Sequence, residues 1–326
     1  MEHMSNSTPS SAELLPPTIH SSVEDMPEEM LAIYKNSNRT LAELYSRPLS
    51  QRHLERSAGA ISRTALGGLG GAPKEEPTCA LILGAGQMAD TPFLDIVRAF
   101  DHTTFIEPDI RTTETTLRTL PSKLLGKVSL IGADITGIAA PFANTIDKLA
   151  GQHNDYLGFA AAATSAVREL QIEDTQPNLE QKFNFVCSNL LLSRLTEPLY
   201  DFLNGRLRNP PYSTRLSSPD NAEAADQPLA SAMDNLRREL QKQHIGYLRR
   251  LVADKGVVHF ADIYTKLYGR GKDFRRRNVL DEKILDVTIG KGFKDLNNQQ
   301  PKDRWMWPRP VQSSVVIARA LIPKTV

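Results

Sequence analysis

Six strand-like runs, apolar along most of their length, recur along the chain with helical stretches between them. They lie at 78–84, 103–109, 127–136, 182–189, 256–267 and 313–322. The intervening segments change period. "TPFLDIVRAF" (91–100) reads as a helix with Thr91 as cap and Pro92 in its first turn. "TTETTLRTLPSKL" reads as helical with a break at Pro121, and 141–173 as further helical material. "LLLSRLTEPLYDFLNGRL" and the long "ASAMDNLRRELQKQHIGYLRRLVADKG" follow the fourth run. Strands without a polar face must be covered on both sides. Their alternation with helices predicts an α/β fold with a doubly wound, mostly parallel sheet.

The remainder of the chain is subordinate to that body. Residues 1–26 are rich in Ser, Pro and Thr and read as a disordered tail. From Pro27 apolar residues recur at three- and four-residue steps (Met30, Leu31, Tyr34, then Leu41, Leu44, Tyr45), which predicts a helical cap. "GGLGGAP" (67–73) reads as a flexible hinge closing that cap at about residue 75, and 208–228 as a polar insertion. With 326 residues, 40% of them hydrophobic, the main domain at 76–326 can bury a sizeable core. A net charge of +1 argues against a dedicated nucleic-acid binder. Cys79 and Cys187 both lie in strand-like runs and read as core residues. Neither a signal-peptide pattern nor a run long enough to cross a membrane is visible, so a cytoplasmic protein without membrane contact is expected.

"CALILGAGQMAD" (79–90) ends the first strand in Gly84-Ala85-Gly86, a turn that can present bare backbone N–H groups to a ligand. Glu107 ends the second strand, about 20 residues on, where a carboxylate can accept both ribose hydroxyls of an adenosine lying across the sheet edge. Turn and acid together point to an adenosine cofactor. Gly84-x-Gly86-x-x-Ala89 would suit a nicotinamide dinucleotide. Against that, Asp90 would repel a pyrophosphate, and Pro92 predicts a helix that begins too late to hold one.

"LILGAGQMAD", "FIEPD", "GADIT", "FNFVCSNLLLSRL" and "DKGVVHFADIY" resemble, in order and spacing, the class I S-adenosylmethionine-dependent methyltransferases. The resemblance spans about 78–322, and "WMWPRPVQSSVVIARALI" is similar to the final hairpin strand of their fold. It implies a seven-stranded Rossmann-like sheet, S-adenosylmethionine as cofactor, and direct methyl transfer to a small-molecule or protein acceptor. It places Gly84, Ala85 and Gly86 beneath the methionine portion and Glu107 on the ribose. Asp134, with Ile135 beside it, falls near the adenine amino group, and Ser188 and Asn189 face the methyl donor. The family often carries an acid two positions before the first glycine; here Ile82 stands there. A catalytically silent binding scaffold and an NAD(P)-dependent oxidoreductase therefore remain as alternatives.

Other signals are weaker. "NPPY" (209–212) matches a motif of amino-group methyltransferases, but it follows an amphipathic stretch and not the fourth strand, so it reads as a loop. His259 reads as a hydrogen-bonded core residue. Asp262 and Tyr264, at the exit of the fifth strand, are the candidate catalytic residues that would orient an acceptor. Arg270, Lys272, Arg275–Arg277, Lys291 and Lys294 make a basic segment, read as a solvated face or as a site for an anionic acceptor. Trp305 and Trp307 alternate along the chain and should pack to one side. No metal is expected, since Ser188 supplies no carboxylate at its strand end.

Overall fold

The computed structural model describes residues 18–20, 26–72, 75–173, 175–208, 219–268, 275–278, 280, 282–295, 303–308 and 312–324. One sheet organises them. Its strands are β1 (Thr18–His20), β2 (Cys79–Leu83), β3 (His102–Ile106), β4 (Val128–Gly132), β5 (Phe183–Asn189), β6 (Val252–Tyr268), β7 (Arg275–Asn278), β8 (Phe293–Asp295), β9 (Asp303–Pro308) and β10 (Gln312–Pro323). The order is β1-β4-β3-β2-β5-β6-β10-β8, with β7 on β6 and β9 on β10. β1 through β6 pair in parallel, and β10 runs antiparallel to β6, β8 and β9. From β2 the chain winds outward through β3 and β4, then returns to lay β5 on the other side of β2. That reversal opens a crevice at the carboxyl ends of β2 and β5, the place where such sheets bind ligands.

The sheet has ten strands where seven were expected. β1, β7 and β8 are three or four residues long, too short to leave a period in the sequence. β1 also places a strand within 1–26, where a disordered tail was expected; the rest of that tail, except Met26, lies outside the described residues. β2, buried at all five positions, and the equally buried β4 need both faces covered. One face carries α6 (Ala139–Gln152), α7 (Tyr156–Glu169), α8 (Glu197–Arg208) and α9 (Pro219–Leu251). Asp155 caps α7 by accepting from the Gly158 N–H at 2.8 Å. In α9 Leu229, Ala232, Met233, Leu236, Leu240, Leu248 and Leu251 make one buried stripe. The other face carries α2 (Gln51–Gly71), α3 (Phe93–Ala99), α4 (Ile110–Leu117) and α5 (Ser122–Leu125), with Pro121 breaking α4 from α5 as expected.

Two expectations about connections are corrected. "GGLGG" is no hinge: α2 runs through it to Gly71. A Cβ on Gly68 would lie 2.7 Å from the Asn184 carbonyl oxygen, and one on Gly71 would meet the Lys255 carbonyl oxygen. The glycines let the helix lie directly on β5 and β6, so close approach is their use. The 208–228 segment is not all loop, because α9 begins at Pro219; "NPPY" lies outside the described residues. Among the described residues no helix is long and apolar enough to cross a membrane.

α1 (Glu28–Tyr45) lies over the crevice. Its start is fixed by Met30, fully buried in the core, and by a Glu29–Arg206 ion pair of 2.7 Å to α8. Its end is fixed by an aromatic stack. Tyr45 packs on Trp307 at 5.5 Å between ring centres, and Trp307 lies on His53 at 4.0 Å and 7°. Trp305 donates its indole N–H to His53 Nδ1 at 2.9 Å. Both tryptophans are buried on one side of β9, the packing role expected of them.

Candidate functional site

The glycine turn is built by backbone conformation. Gly84 has φ +63° and Gly86 φ +48°, which side-chain-bearing residues rarely adopt. The Gly84 N–H donates to the Ile106 carbonyl at 2.9 Å, tying the turn to β3. The Gly86 N–H donates to Glu107 Oε2 at 2.9 Å, tying it to the acid at the end of that strand. Two residues with side chains also have positive φ: Met88 (53°) and Leu190 (54°). Both border the same crevice, and such strain collects where geometry is held for a ligand. α3 begins only at Phe93, so no helix N-terminus stands behind Gly86.

Acids line the crevice. Glu107 also accepts from the Asn38 amide at 3.1 Å and the Asp109 N–H at 3.3 Å, both at Oε1. Burial pushes its carboxyl above the usual range, against the hydrogen bonds from Gly86 and Asn38 that hold the charged form. Asp134 takes the Thr136 N–H (3.0 Å) and Tyr34 hydroxyl (3.2 Å) on Oδ1, and the Thr136 hydroxyl (2.6 Å) and Ala139 N–H (2.9 Å) on Oδ2. Asp90 accepts from the Tyr45 hydroxyl and from Asn189 Nδ2, each at 2.9 Å. Its carboxyl, too, is raised by burial. The cation bordering the cleft is Arg194, which is held by Glu197 at 2.9 Å and by the Ser37 hydroxyl.

These groups border one cleft at the carboxyl ends of β2 and β5. Of the expected cofactor residues, Gly84, Ala85, Gly86, Glu107, Asp134, Ile135 and Asn189 line it together. Ser188 does not. It is buried and its hydroxyl pairs with His244 Nε2 on α9 at 2.8 Å, because alternate residues of β5 face opposite sides of the sheet. The face of α1 formed by Tyr34, Ser37, Asn38, Leu41, Ala42 and Tyr45 completes the cleft. A second cavity shares Ser37, Leu41 and Arg194 with it and continues along Ile33, Leu44, Glu197 and Asp201. Sequence reasoning placed α1 as a cap but named none of its residues for the site, although the spacing of those six already puts them on one helix face.

The expected catalytic pair is not confirmed in that place. Asp262 is 1% exposed and accepts from the Ser193 N–H at 3.1 Å and the Ile263 N–H at 2.6 Å. It therefore positions the loop that follows β5 and is not among the residues that line the cleft. Tyr264 lies in β6, its side chain outside the described residues. His259 is buried beside the Thr64 hydroxyl at 3.3 Å, a core role. Lys291 and Lys294 are exposed, and β8 pairs with β10 at Leu321, opposite Val258 of β6. That is the amino end of the parallel strands, across the sheet from the cleft. Among the described residues no group of three or more His, Cys, Asp or Glu side chains is placed to hold a metal.

Burial pushes the Asp262 carboxyl up to about 6. A folded-state value above the unfolded one means the native protein binds the proton more tightly. The group's contribution to stability is thus full below about pH 4 and is lost as pH rises through about 6, by about 3 kcal/mol at most. Urea unfolding of wild type and Asp262→Ala at pH 4.5 and pH 7.5 checks this. The wild type's advantage over the variant should be larger at pH 4.5, and an equal or reversed gap would contradict the assignment.

No family model matches the sequence, and no curated protein matches it. Solved structures do. An S-adenosylmethionine-dependent methyltransferase from Clostridium acetobutylicum is 8% identical over 87% of this chain and 98% of its own, with a TM-score of 0.42. A ribosomal protein L11 methylase from Lactobacillus delbrueckii subsp. bulgaricus is 9% identical over 81% and 79%, with a TM-score of 0.36. A glycopeptide N-methyltransferase complexed with S-adenosylmethionine is 11% identical over 82% and 94%, with a TM-score of 0.35. Identities this low carry over no residue and no substrate.

Proposed function

We propose that this chain binds S-adenosylmethionine in the cleft at the ends of β2 and β5 and transfers its methyl group to an acceptor. The observation that carries the reading is the charge of that cleft. Three desolvated carboxylates, Asp90, Glu107 and Asp134, stand against one guanidinium among the described residues, that of Arg194. A dianionic pyrophosphate would add negative charge beside Asp90, in a turn that has no helix N-terminus to receive it. A sulfonium-bearing adenosine brings positive charge to the same place. The buried acids and the open backbone at Gly84 and Gly86 fit such a ligand.

When bound, S-adenosylmethionine supplies an electrophilic methyl group. The protein's part is to hold the reactants in line and to keep water out. Glu107 has the lone pairs to accept ribose hydroxyls, and Asp134 stands at the end of β4 toward the adenine side. Leu190, Leu191, Leu195 and Pro198 wall the far side, next to Asn189. The acceptor approaches through the second cavity, past Arg194.

Calorimetric titration with S-adenosylmethionine, S-adenosylhomocysteine, NAD and NADP tests the reading. Micromolar binding of the first two alone is the expected result. Binding of NAD or NADP alone would replace methyl transfer with hydride chemistry. Binding of none would leave the silent scaffold, which Ile82, 2% exposed in the core where relatives often have an acid, already favours.

A further inference from the structure

Side chains of α1 occupy the acids that an adenosine would use. The acceptor count makes the conflict explicit, because a carboxylate offers about four lone-pair sites. At Asp134 four donors are in place, and the Tyr34 hydroxyl is the one that comes from outside the 134–139 loop. At Glu107 three donors are in place: the backbone N–H groups of Gly86 and Asp109 and the side-chain amide of Asn38. A ribose diol brings two donors to that carboxylate and finds one site open. The backbone donors are fixed by the turn and by β3, so Asn38 is the group that can yield. Its amide has a second hold on Asp109 Oδ2 at 3.3 Å, and its Oδ1 lies 3.2 Å from where a Cβ on Gly86 would stand. The helix itself is pinned at Met30, at the Glu29–Arg206 pair and at Tyr45. The exchange is therefore one of side chains on a standing helix.

We propose that Asn38 and Tyr34 form a latch, closed on Glu107 and Asp134 in the free protein and released by a ligand that returns a donor to each acid. This rests on the cofactor reading above. An adenosine does so with its ribose hydroxyls and its exocyclic amine. An inosine counterpart presents a carbonyl oxygen in place of the amine and leaves Asp134 facing an acceptor. Asp134 thus sets the preference for an amine over a carbonyl, and the two latch residues oppose association of either ligand without contributing to the bound state.

The test titrates S-adenosylhomocysteine and S-inosylhomocysteine into wild type, Asn38→Ala and Tyr34→Phe, with association rates measured alongside. NMR of the Asn38 side-chain amide, identified by its loss in Asn38→Ala, reports the latch directly. The amide should be protected from water exchange in the free protein and lose protection on saturation with S-adenosylhomocysteine. Asn38→Ala should bind that ligand on the order of tenfold more tightly, the gain lying in the association rate. Tyr34→Phe should tighten binding of both compounds by a similar factor and leave the preference between them, which Asp134 sets, unchanged. Weaker binding by Asn38→Ala would overturn the latch and make Asn38 a ligand of the cofactor. So would an unprotected amide in the free wild type. Failure of wild type to take up S-adenosylhomocysteine would sink the cofactor reading instead, and with protection intact would leave the closed contact standing.

Discussion

Gly86→Val abolishes cofactor binding, by more than about a hundredfold in Kd, and leaves the protein folded. Two independent features of Gly86 give this result. Its φ of +48° is a conformation that a β-branched residue resists, at a cost of about 1–2 kcal/mol. That is a fraction of the roughly 5–15 kcal/mol that holds a domain together, so the fold survives. Binding does not. The new side chain would project toward Asn38 Oδ1, 3.2 Å from its first carbon, and fill the gap between α1 and the turn. The Gly86 N–H would also shift from Glu107 Oε2, now 2.9 Å away, and disturb the acid that receives the ribose. Calorimetry with S-adenosylmethionine, with circular dichroism as the folding control, reads both. Gly86→Ala serves if valine fails to fold. Unchanged affinity in a folded variant would move the site away from this turn.

The sheet was legible because burial on both faces leaves strands no polar residues to hide behind. All six of the longer runs became strands with ends displaced by a few residues. Pro121 punctuated as proline must, whereas Pro92, expected in the first turn of α3 behind a Thr91 cap, is itself the cap residue just before the helix. What misled was glycine in α2. Gly68 and Gly71 look like hinge residues in isolation, and only the carbonyls of Asn184 and Lys255 explain why a helix there lacks side chains. Ser188 misled for a different reason: a one-residue step along a strand reverses the face, so of two neighbours only Asn189 reaches the cleft. Asp262 was expected at the exit of its strand but lies within β6, which runs on to Tyr268, and sequence alone could not show that the loop after β5 folds back to take its carboxylate. The share of α1 in the site was least visible. Tyr34 and Asn38 lie 69 to 100 residues from the acids they bond, Glu107, Asp109 and Asp134, and Tyr45 lies 45 from Asp90. No local period encodes such partners.

Glu107→Ala lowers cofactor affinity by roughly 10²- to 10⁴-fold, and the loss has a pH signature. Each hydrogen bond from a ribose hydroxyl to a buried carboxylate contributes about 1.5–3 kcal/mol, and the variant forfeits two. It also strands the Gly86 N–H, at a cost of about 1–3 kcal/mol in stability. The loss of affinity outruns any release of Asn38, since freeing that amide removes one competitor while the acceptor itself is gone. Glu107→Gln keeps one oxygen for the Gly86 N–H, but its amide group donates where the ribose needs an acceptor, so it recovers stability and little affinity. Because burial raises the Glu107 carboxyl, wild type should lose affinity as pH falls through a range above that of an ordinary glutamate. In Glu107→Ala the acid limb should shrink to the share that Asp90, likewise raised by burial, supplies. Calorimetric titrations run from the range of an ordinary glutamate up to neutral pH compare the two. A wild-type curve with no acid limb would show that Glu107 is not the group whose charge the ligand reads.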